Sequence, residues 1–263
     1  MQILFRTLLA IFLAHLLADF VFQTKHLVDK KREGKWSGYI LHGLIHYLSA
    51  LALVGFFLKA SALSVKTHAV LLLLAAIHLL IDFAKMRLTA SRLLRDGSLA
   101  YVADQFLHLF TVLLAAWILS PGVTFHQVFS PVASLRAAPT KWLAVPAVYI
   151  AVVFGGGYLI RYLTRTLSEG IKNHSPEKGT EQLQNAGLYI GWLERFLVVT
   201  ALLLQSPATI GLILTAKSIA RYPEFKSERF AEYFLIGTLL SISIAMVGGV
   251  FLSKLLLGFV QFS

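Results

Sequence analysis

The sequence predicts an all-α, polytopic membrane protein, a transmembrane helical bundle of about eight spans. Hydrophobic residues make up 57% of the 263 residues and charged residues only 14%, whereas soluble domains carry roughly 25% charged residues. Apolar stretches long enough to cross a bilayer, about 20 residues each, recur along the whole chain. Lys and Arg gather in some of the segments between these stretches, which is typical of multi-pass membrane proteins.

The predicted spans are separated by short polar or basic segments. A polar linker at 168–183 separates residues 1–167, with helices 1–5, from residues 184–263, with helices 6–8. The seventh span is short and follows Pro207, so it either crosses the bilayer or forms a re-entrant segment. The eight predicted spans are 2–24, 37–59, 67–88, 99–119, 141–163, 184–205, 208–222 and 230–258.

The positive charges predict the orientation of the chain. Of the 24 Lys and Arg residues, 17 lie in segments 25–36, 85–99, 161–183 and 217–229. Because Lys and Arg accumulate in cytoplasmic loops, we place these segments in the cytoplasm. The net charge of +11 is therefore attributed to topology, and we expect membrane lipids and no nucleic acid as partners. Segment 25–36 is interpreted as a cytoplasmic surface loop lying on anionic headgroups.

Four of the predicted spans each carry a pair of ionisable side chains at spacing i, i+4. This spacing puts both members of a pair on one helical face, one turn apart. It is also the spacing by which two side chains of one helix grip a metal ion. With the orientation above, all four pairs fall in the cytoplasmic half of the bilayer at similar depth. The pairs are His15 and Asp19, His42 and His46, His78 and Asp82, and Asp104 and His108.

Five imidazoles and three carboxylates could supply four ligands to each of two ions. This donor set suits one or two divalent metal ions, namely Zn, Mn or Fe, and the absence of cysteine excludes a thiolate site. The alternative is that each pair forms hydrogen bonds that tie helices together. Ionisable groups inside spans cost about 2.5–3.5 kcal/mol each on insertion scales, so four pairs at one depth favour a functional site.

A second polar set lies in the C-terminal spans. Arg195, Lys217 and Arg221 could bind the anionic part of a substrate, and Glu194 is a candidate general base, that is, a catalytic residue. Alternatively, Arg195 forms a structural ion pair with Glu194 or Glu232, while the other two cations reach the membrane surface. Both interpretations remain open at this point.

The motifs HLLADFVFQ, LHGLIHYL, HLLIDFAK and DQFLH, with AGLYIGWLER and AKSIARYPE further on, resemble an uncharacterised bacterial multi-pass membrane family, a domain of unknown function. The first four motifs also resemble those of membrane-bound metal-dependent hydrolases. The resemblance implies a location in the bacterial inner (plasma) membrane and brings no established activity.

We therefore expect an integral membrane metal-dependent hydrolase that acts on an amphiphilic, anionic, phosphoester-like substrate at the cytoplasmic leaflet. Bound ions would polarise the scissile group and activate water near neutral pH. Three other functions fit the pattern: a divalent-cation or proton transporter, an oxygen-activating di-iron enzyme, and a metal-free membrane scaffold. The sequence leaves the substrate, the metal and the oligomeric state open.

Overall fold

The structure, a computed structural model, is all-α in the part of the chain that it describes, with no strand among those residues. The predicted fold class is confirmed. The chain divides into two compact units, unit 1 at Met1–Ala147 and unit 2 at Val148–Ser263. The described residues are 2–58, 63–121, 138–165, 181–222, 225 and 228–257.

Among the described residues, unit 1 contains four long helices, one short helix and the beginning of a sixth helix that continues into unit 2. Its first helix continues without interruption into a π-helical segment, Leu17–Val21. A brief connection, 22–24, leads from this segment to the short helix α2. The helices are α1 (Gln2–Leu16), α2 (Lys25–Arg32), α3 (Trp36–Leu58), α4 (Val65–Ala90) and α5 (Ser98–Ile118).

The long helices of unit 1 pack in a ring. α1 contacts α3 and α5, and α4 contacts the same two helices from the other side. The core of the ring is formed by small and branched side chains, among them Ala14, Val54, Leu71 and Val112. Many large apolar side chains on the outer faces are exposed, for example Phe56, as expected for a bundle whose outer surface meets lipid. α2 packs against α3 at one end of the ring.

Unit 2 is built around two long helices. α6 (Ala138–Ile150) enters it and continues through a second π-helical segment, Ala151–Gly155, into α7 (Gly156–Leu163). The remaining helices are α8 (Glu181–Leu203), α9 (Ala208–Arg221) and α10 (Glu228–Leu257). α8 packs along α10 and also contacts α9 and the π-helical segment.

Among the described residues, six helical stretches are long and apolar enough to cross a membrane, so the chain is a multi-pass membrane protein. Each of the eight predicted spans corresponds to a helix, and the two that do not meet this criterion are α8 and α9. The 14 residues of α9 extend about 21 Å at 1.5 Å per residue, less than the hydrocarbon thickness of about 30 Å. The six stretches are Ile3–Val21, Trp36–Leu58, Val65–Ala90, Ser98–Ile118, Thr140–Leu163 and Phe230–Leu256.

The boundary between the two units lies inside α6, between Ala147 and Val148. The sequence analysis placed it instead in a cytoplasmic linker at 168–183. Most of that linker, 168–180, lies outside the described residues, so the linker and its location stay predictions.

Candidate functional site

The four i, i+4 pairs meet at one end of unit 1. The pairs of α1 and α4 lie toward the C-terminal ends of their helical stretches, and those of α3 and α5 toward the N-terminal ends. Neighbouring helices in the ring therefore run in opposite directions. All five imidazoles and one carboxylate are buried, and the remaining two carboxylates are nearly so, at 13% and 16% exposed. We call this set the His/Asp cluster: His15, Asp19, His42, His46, His78, Asp82, Asp104 and His108.

The π-helical segment Leu17–Val21 carries the central carboxylate of the cluster. Its backbone bonds span one residue more than those of an α-helix, as in Phe22 N–H donating to the Leu17 carbonyl at 2.8 Å. Asp19, in the middle of this segment, lies with Oδ1 2.9 Å from His46 Nε2 and 3.3 Å from His42 Nε2. Single π-helical turns recur at functional sites. The sequence analysis did not predict this turn, because nothing in its residues distinguishes it from ordinary helix.

A second group of ligand atoms surrounds Asp82. The Oδ1 atom of Asp82 is 3.5 Å from His108 Nε2, and Asp104 Oδ1 is 3.6 Å from the same nitrogen. The Oδ2 atom of Asp82 lies 3.6 Å from His42 Nε2 and 3.8 Å from His78 Nε2. The two groups are continuous through these shared imidazoles, whose Nε2 atoms are 3.1 Å apart.

The spacing of the cluster atoms can be compared with the distances typical of hydrogen bonds and of metal coordination. Of the eight His–Asp nitrogen–oxygen pairs, seven lie at 3.3–3.8 Å, and only the pair of His46 and Asp19 is at 2.9 Å. A hydrogen bond between N–H and O is about 2.7–3.2 Å long. Two ligand atoms bound at about 2.0–2.2 Å to one tetrahedral ion are about 3.3–3.6 Å apart. Most of these distances are therefore longer than hydrogen bonds and compatible with shared ions, while His46–Asp19 at 2.9 Å and the Nε2 atoms of His42 and His78 at 3.1 Å lie within hydrogen-bond range.

Four buried atoms of the cluster have no hydrogen-bond partner in the part of the chain that the structure describes: His42 Nδ1, His108 Nδ1, His108 Nε2 and Asp104 Oδ1. The last two face each other at 3.6 Å. A buried polar atom left without a partner costs roughly 1–3 kcal/mol, and a shared cation would satisfy both. Three overlapping groups could hold an ion: His15, Asp19, His46 and His78; His42, His78 and Asp82; and Asp82, Asp104 and His108.

Two lysines complete the cluster on the side toward α2. Lys31 is 5% exposed and its Nζ lies 2.7 Å from Asp82 Oδ2, and Lys85 Nζ lies 3.0 Å from Asp104 Oδ2. The interpretation of segment 25–36 as a surface segment is thus wrong for Lys31, since α2 turns Leu27 and Lys31 inward together. The sequence does carry a signal for the second lysine, because Lys85 follows Asp82 by three residues and so lies on the same helical face.

The opposite side of the cluster is apolar. A small cavity, large enough for a water molecule, lies inside the ring beside the rings of His15, His46 and His78. Its other walls are mostly apolar, including Ile11 and Leu71. The cluster therefore has one charged side, at the lysines, and one apolar side, toward the middle of the helices.

The polar residues predicted to act in the C-terminal spans lie in unit 2, where they form contacts between neighbouring helices. Lys217 Nζ on α9 lies 2.5 Å from Glu194 Oε2 on α8. Arg195 is buried and donates from Nε and Nη2 to the Val153 carbonyl, at 3.0 and 2.7 Å, and from Nη1 to Ser241 Oγ at 3.2 Å. Arg195 therefore binds neutral acceptors here, and the exposed Glu232 is not needed to hold it.

These contacts bear on the predicted roles in different ways. Lys217 has a carboxylate partner, Arg195 is held by three hydrogen bonds, and Arg221 ends α9. Anion binding by these three residues and general-base catalysis by Glu194 stay predictions, as does metal binding by the His/Asp cluster.

Comparison with known families gives one match. Residues 7–136, about half of the chain, match the model of a family described as "Protein of unknown function (DUF3307)". The match includes all four motifs that carry the His/Asp cluster, and it ends before the two C-terminal motifs at 186–195 and 216–224. No curated protein and no solved structure matches the chain significantly.

Proposed function

Because the chain belongs, through residues 7–136, to the family described as "Protein of unknown function (DUF3307)", its activity must be inferred from the site, and we propose a membrane-embedded, metal-dependent hydrolase. One observation carries the proposal. Eight imidazole and carboxylate side chains from four helices converge in a buried cluster at spacings that are mostly longer than hydrogen bonds and compatible with shared metal ions.

The cluster offers two unequal coordination sites. His15, Asp19, His46 and His78 form a set of four ligands, the number that a closed tetrahedral site uses. Asp82, Asp104 and His108 form a set of three, which leaves a coordination position for water or substrate, as in catalytic zinc sites. His42 lies between the sets, within 3.6 Å of Asp82 and 3.3 Å of Asp19.

Hydrolysis is the reaction class that this donor set favours. A divalent ion with an open position supplies a water molecule that is acidic enough to act as a nucleophile near neutral pH. In phosphoester hydrolysis, the water oxygen bonds to phosphorus, the bond to the leaving oxygen breaks, and that oxygen takes up a proton. The three Asp carboxylates favour Zn, Mn or Fe over softer ions.

The position of the cluster in the bundle favours an amphiphilic substrate. The cluster lies near one end of apolar helices, beneath the basic helix α2, so a lipid-like molecule could keep its chains in the bilayer while its head group reaches the site. We propose the cytoplasmic leaflet of the bacterial inner membrane as the location, supported by the concentration of Lys and Arg in the segments at this end.

Elemental analysis of the purified full-length protein tests the proposal. We expect one or two Zn, Mn or Fe ions per chain in the wild type and loss of metal in His78→Ala. His68→Ala is the matched control, since His68 lies on the same helix but pairs with Tyr47 at 2.8 Å, away from the cluster. Release of head groups from lipid vesicles, followed by mass spectrometry, then tests hydrolysis. A wild-type protein that binds none of these metals would exclude the proposed function.

A further inference from the structure

The two lysines beside the His/Asp cluster hold the outer oxygens of its carboxylates. Lys31 contacts Asp82 Oδ2 at 2.7 Å, and Lys85 contacts Asp104 Oδ2 at 3.0 Å, while the Oδ1 atoms of both carboxylates face His108. The lysines thus lie next to the three-ligand set that leaves a coordination position open. No other part of the cluster has cations so close to it among the described residues.

The charge of the cluster requires an anion once metal is bound. Three carboxylates and two ammonium groups leave the ten side chains with one net negative charge when the imidazoles are neutral. One divalent ion turns this into one positive charge, and two ions turn it into three. An excess positive charge within apolar helices is strongly disfavoured unless a counter-charge accompanies it.

We propose that Lys31 and Lys85 bind a phosphate group beside the metal ions, so that the substrate is a phosphate ester. This inference rests on the proposed metal site. A phosphate monoester brings two negative charges and, with one bound hydroxide, balances the two-ion case, whereas a diester brings one negative charge and balances the one-ion case by itself. Each ammonium group has three donors. Lys85 uses one on Asp104, and Lys31 uses one on Asp82 and a second on the side-chain amide oxygen of Gln23, so donors remain for phosphate oxygens. Lysine is a common phosphate ligand that acts as a mobile point charge.

The exposed atoms show where this phosphate enters. Lys85 is 27% exposed and Asp82 16%, whereas Lys31 and His108 are almost fully buried. The opening is therefore on the Lys85 side, with Lys31 deeper in the site and fixed from behind by Tyr39, whose hydroxyl donates to the Lys31 carbonyl at 3.4 Å. Lys85 is the first cation that an entering phosphate group meets.

The test uses the full-length protein in phosphatidylcholine nanodiscs loaded with Mn²⁺, with inorganic phosphate as the probe. Titration calorimetry gives the Kd for phosphate, and elemental analysis gives the metal content. We expect Lys85→Gln to weaken phosphate binding about tenfold or more, the loss of one charge-assisted hydrogen bond, with the metal content unchanged. Lys85→Arg should stay within about threefold of the wild type. Lys66→Gln, an exposed lysine at the other end of α4, should have no effect.

The possible outcomes separate the two proposals. If metal is bound but phosphate does not bind, or binds Lys85→Gln as tightly as the wild type, the phosphate site is wrong and the metal site stands. If no metal binds, both fail together. Nanodiscs containing phosphatidic acid identify the source of the phosphate. Competition with the probe indicates a lipid head group, and its absence, with the probe still bound, indicates a soluble phosphate ester.

Discussion

Both units bury ionisable side chains among apolar helices, but they satisfy them differently. In unit 2, Arg195 and Lys217 are held by direct contacts of 2.5–3.2 Å to Glu194, Val153 and Ser241. In unit 1, the imidazoles and carboxylates of the His/Asp cluster face each other mostly at 3.3–3.8 Å. Contacts within hydrogen-bond range are what helix-to-helix attachment needs. Convergent groups just beyond that range leave room for the shared ions proposed above.

The two units also use their π-helical segments differently. In unit 1, the segment Leu17–Val21 places the Asp19 carboxylate among three imidazoles. In unit 2, the segment Ala151–Gly155 offers the Val153 carbonyl to the guanidinium of Arg195. The π-helical segment of unit 1 thus positions a carboxylate, whereas the one in unit 2 exposes a backbone carbonyl that a side chain then hydrogen-bonds. Side chains commonly satisfy the backbone groups that irregular turns free in membrane helices.

The largest effect should come from removing a shared carboxylate. Asp82 contacts His42, His78 and His108, so Asp82→Asn removes one ligand charge from two of the three groups that could hold an ion. We expect metal affinity to fall more than about 100-fold, beyond the range for loss of a supporting group around a metal. Elemental analysis after dialysis measures it, with Asp29→Asn on α2 as the matched control. If Asp82→Asn retains its full metal content, the cluster of unit 1 does not differ from the polar contacts of unit 2 by holding metal.

The sequence predicted the helices and the cluster well, for a physical reason. Ionisable residues inside apolar spans are costly, so their i, i+4 spacing in four consecutive spans was informative without any structure. Pairs on α1, α3, α4 and α5 had to face inward to avoid lipid, and inward faces of a four-helix ring converge.

Other features could not be predicted because their signals are not local. The π-helical turn around Asp19 depends on packing, and its residues are ordinary helix formers. Lys31 looked like one of several lysines in a basic segment, and only the fold shows that it points inward. Arg195 was expected to seek an anion or a carboxylate, but its partner is the backbone carbonyl of Val153, which carries no residue-specific signature.

A smaller effect, on stability alone, is expected from the ion pair of unit 2. Glu194→Gln leaves Lys217 beside a neutral amide in a mostly buried position. Breaking a buried pair by removing one partner costs about 3 kcal/mol of unfolding free energy, which denaturation in detergent micelles measures. Glu232→Gln, the same change at an exposed position on α10, should cost almost nothing. Metal content should equal that of the wild type, and a loss of metal in Glu194→Gln would contradict the contrast between the units.

The smallest expected effect concerns the space that glycine leaves for Arg195. A Cβ at Gly157 would lie 2.7 Å from Nη2 of Arg195, whereas a Cβ at Gly187 would meet nothing within 4 Å. In Gly157→Ala the guanidinium has to shift away from the Val153 carbonyl, which lengthens the hydrogen bond now at 2.7 Å. We expect a loss of about 1–2 kcal/mol in unfolding free energy, typical of inserting a methyl group into a packed site.

Gly187→Ala separates this effect from general helix propensity. Alanine favours helix over glycine by up to about 1 kcal/mol, so Gly187→Ala should be neutral or slightly stabilising in the same micelle assay. If both substitutions stabilise the protein equally, the guanidinium has room to move and Arg195 is not fixed by its contacts. Arg195 would then be as free as Lys85 to bind an external anion. The polar residues of unit 2 would no longer differ from those of the His/Asp cluster in being held by close direct contacts.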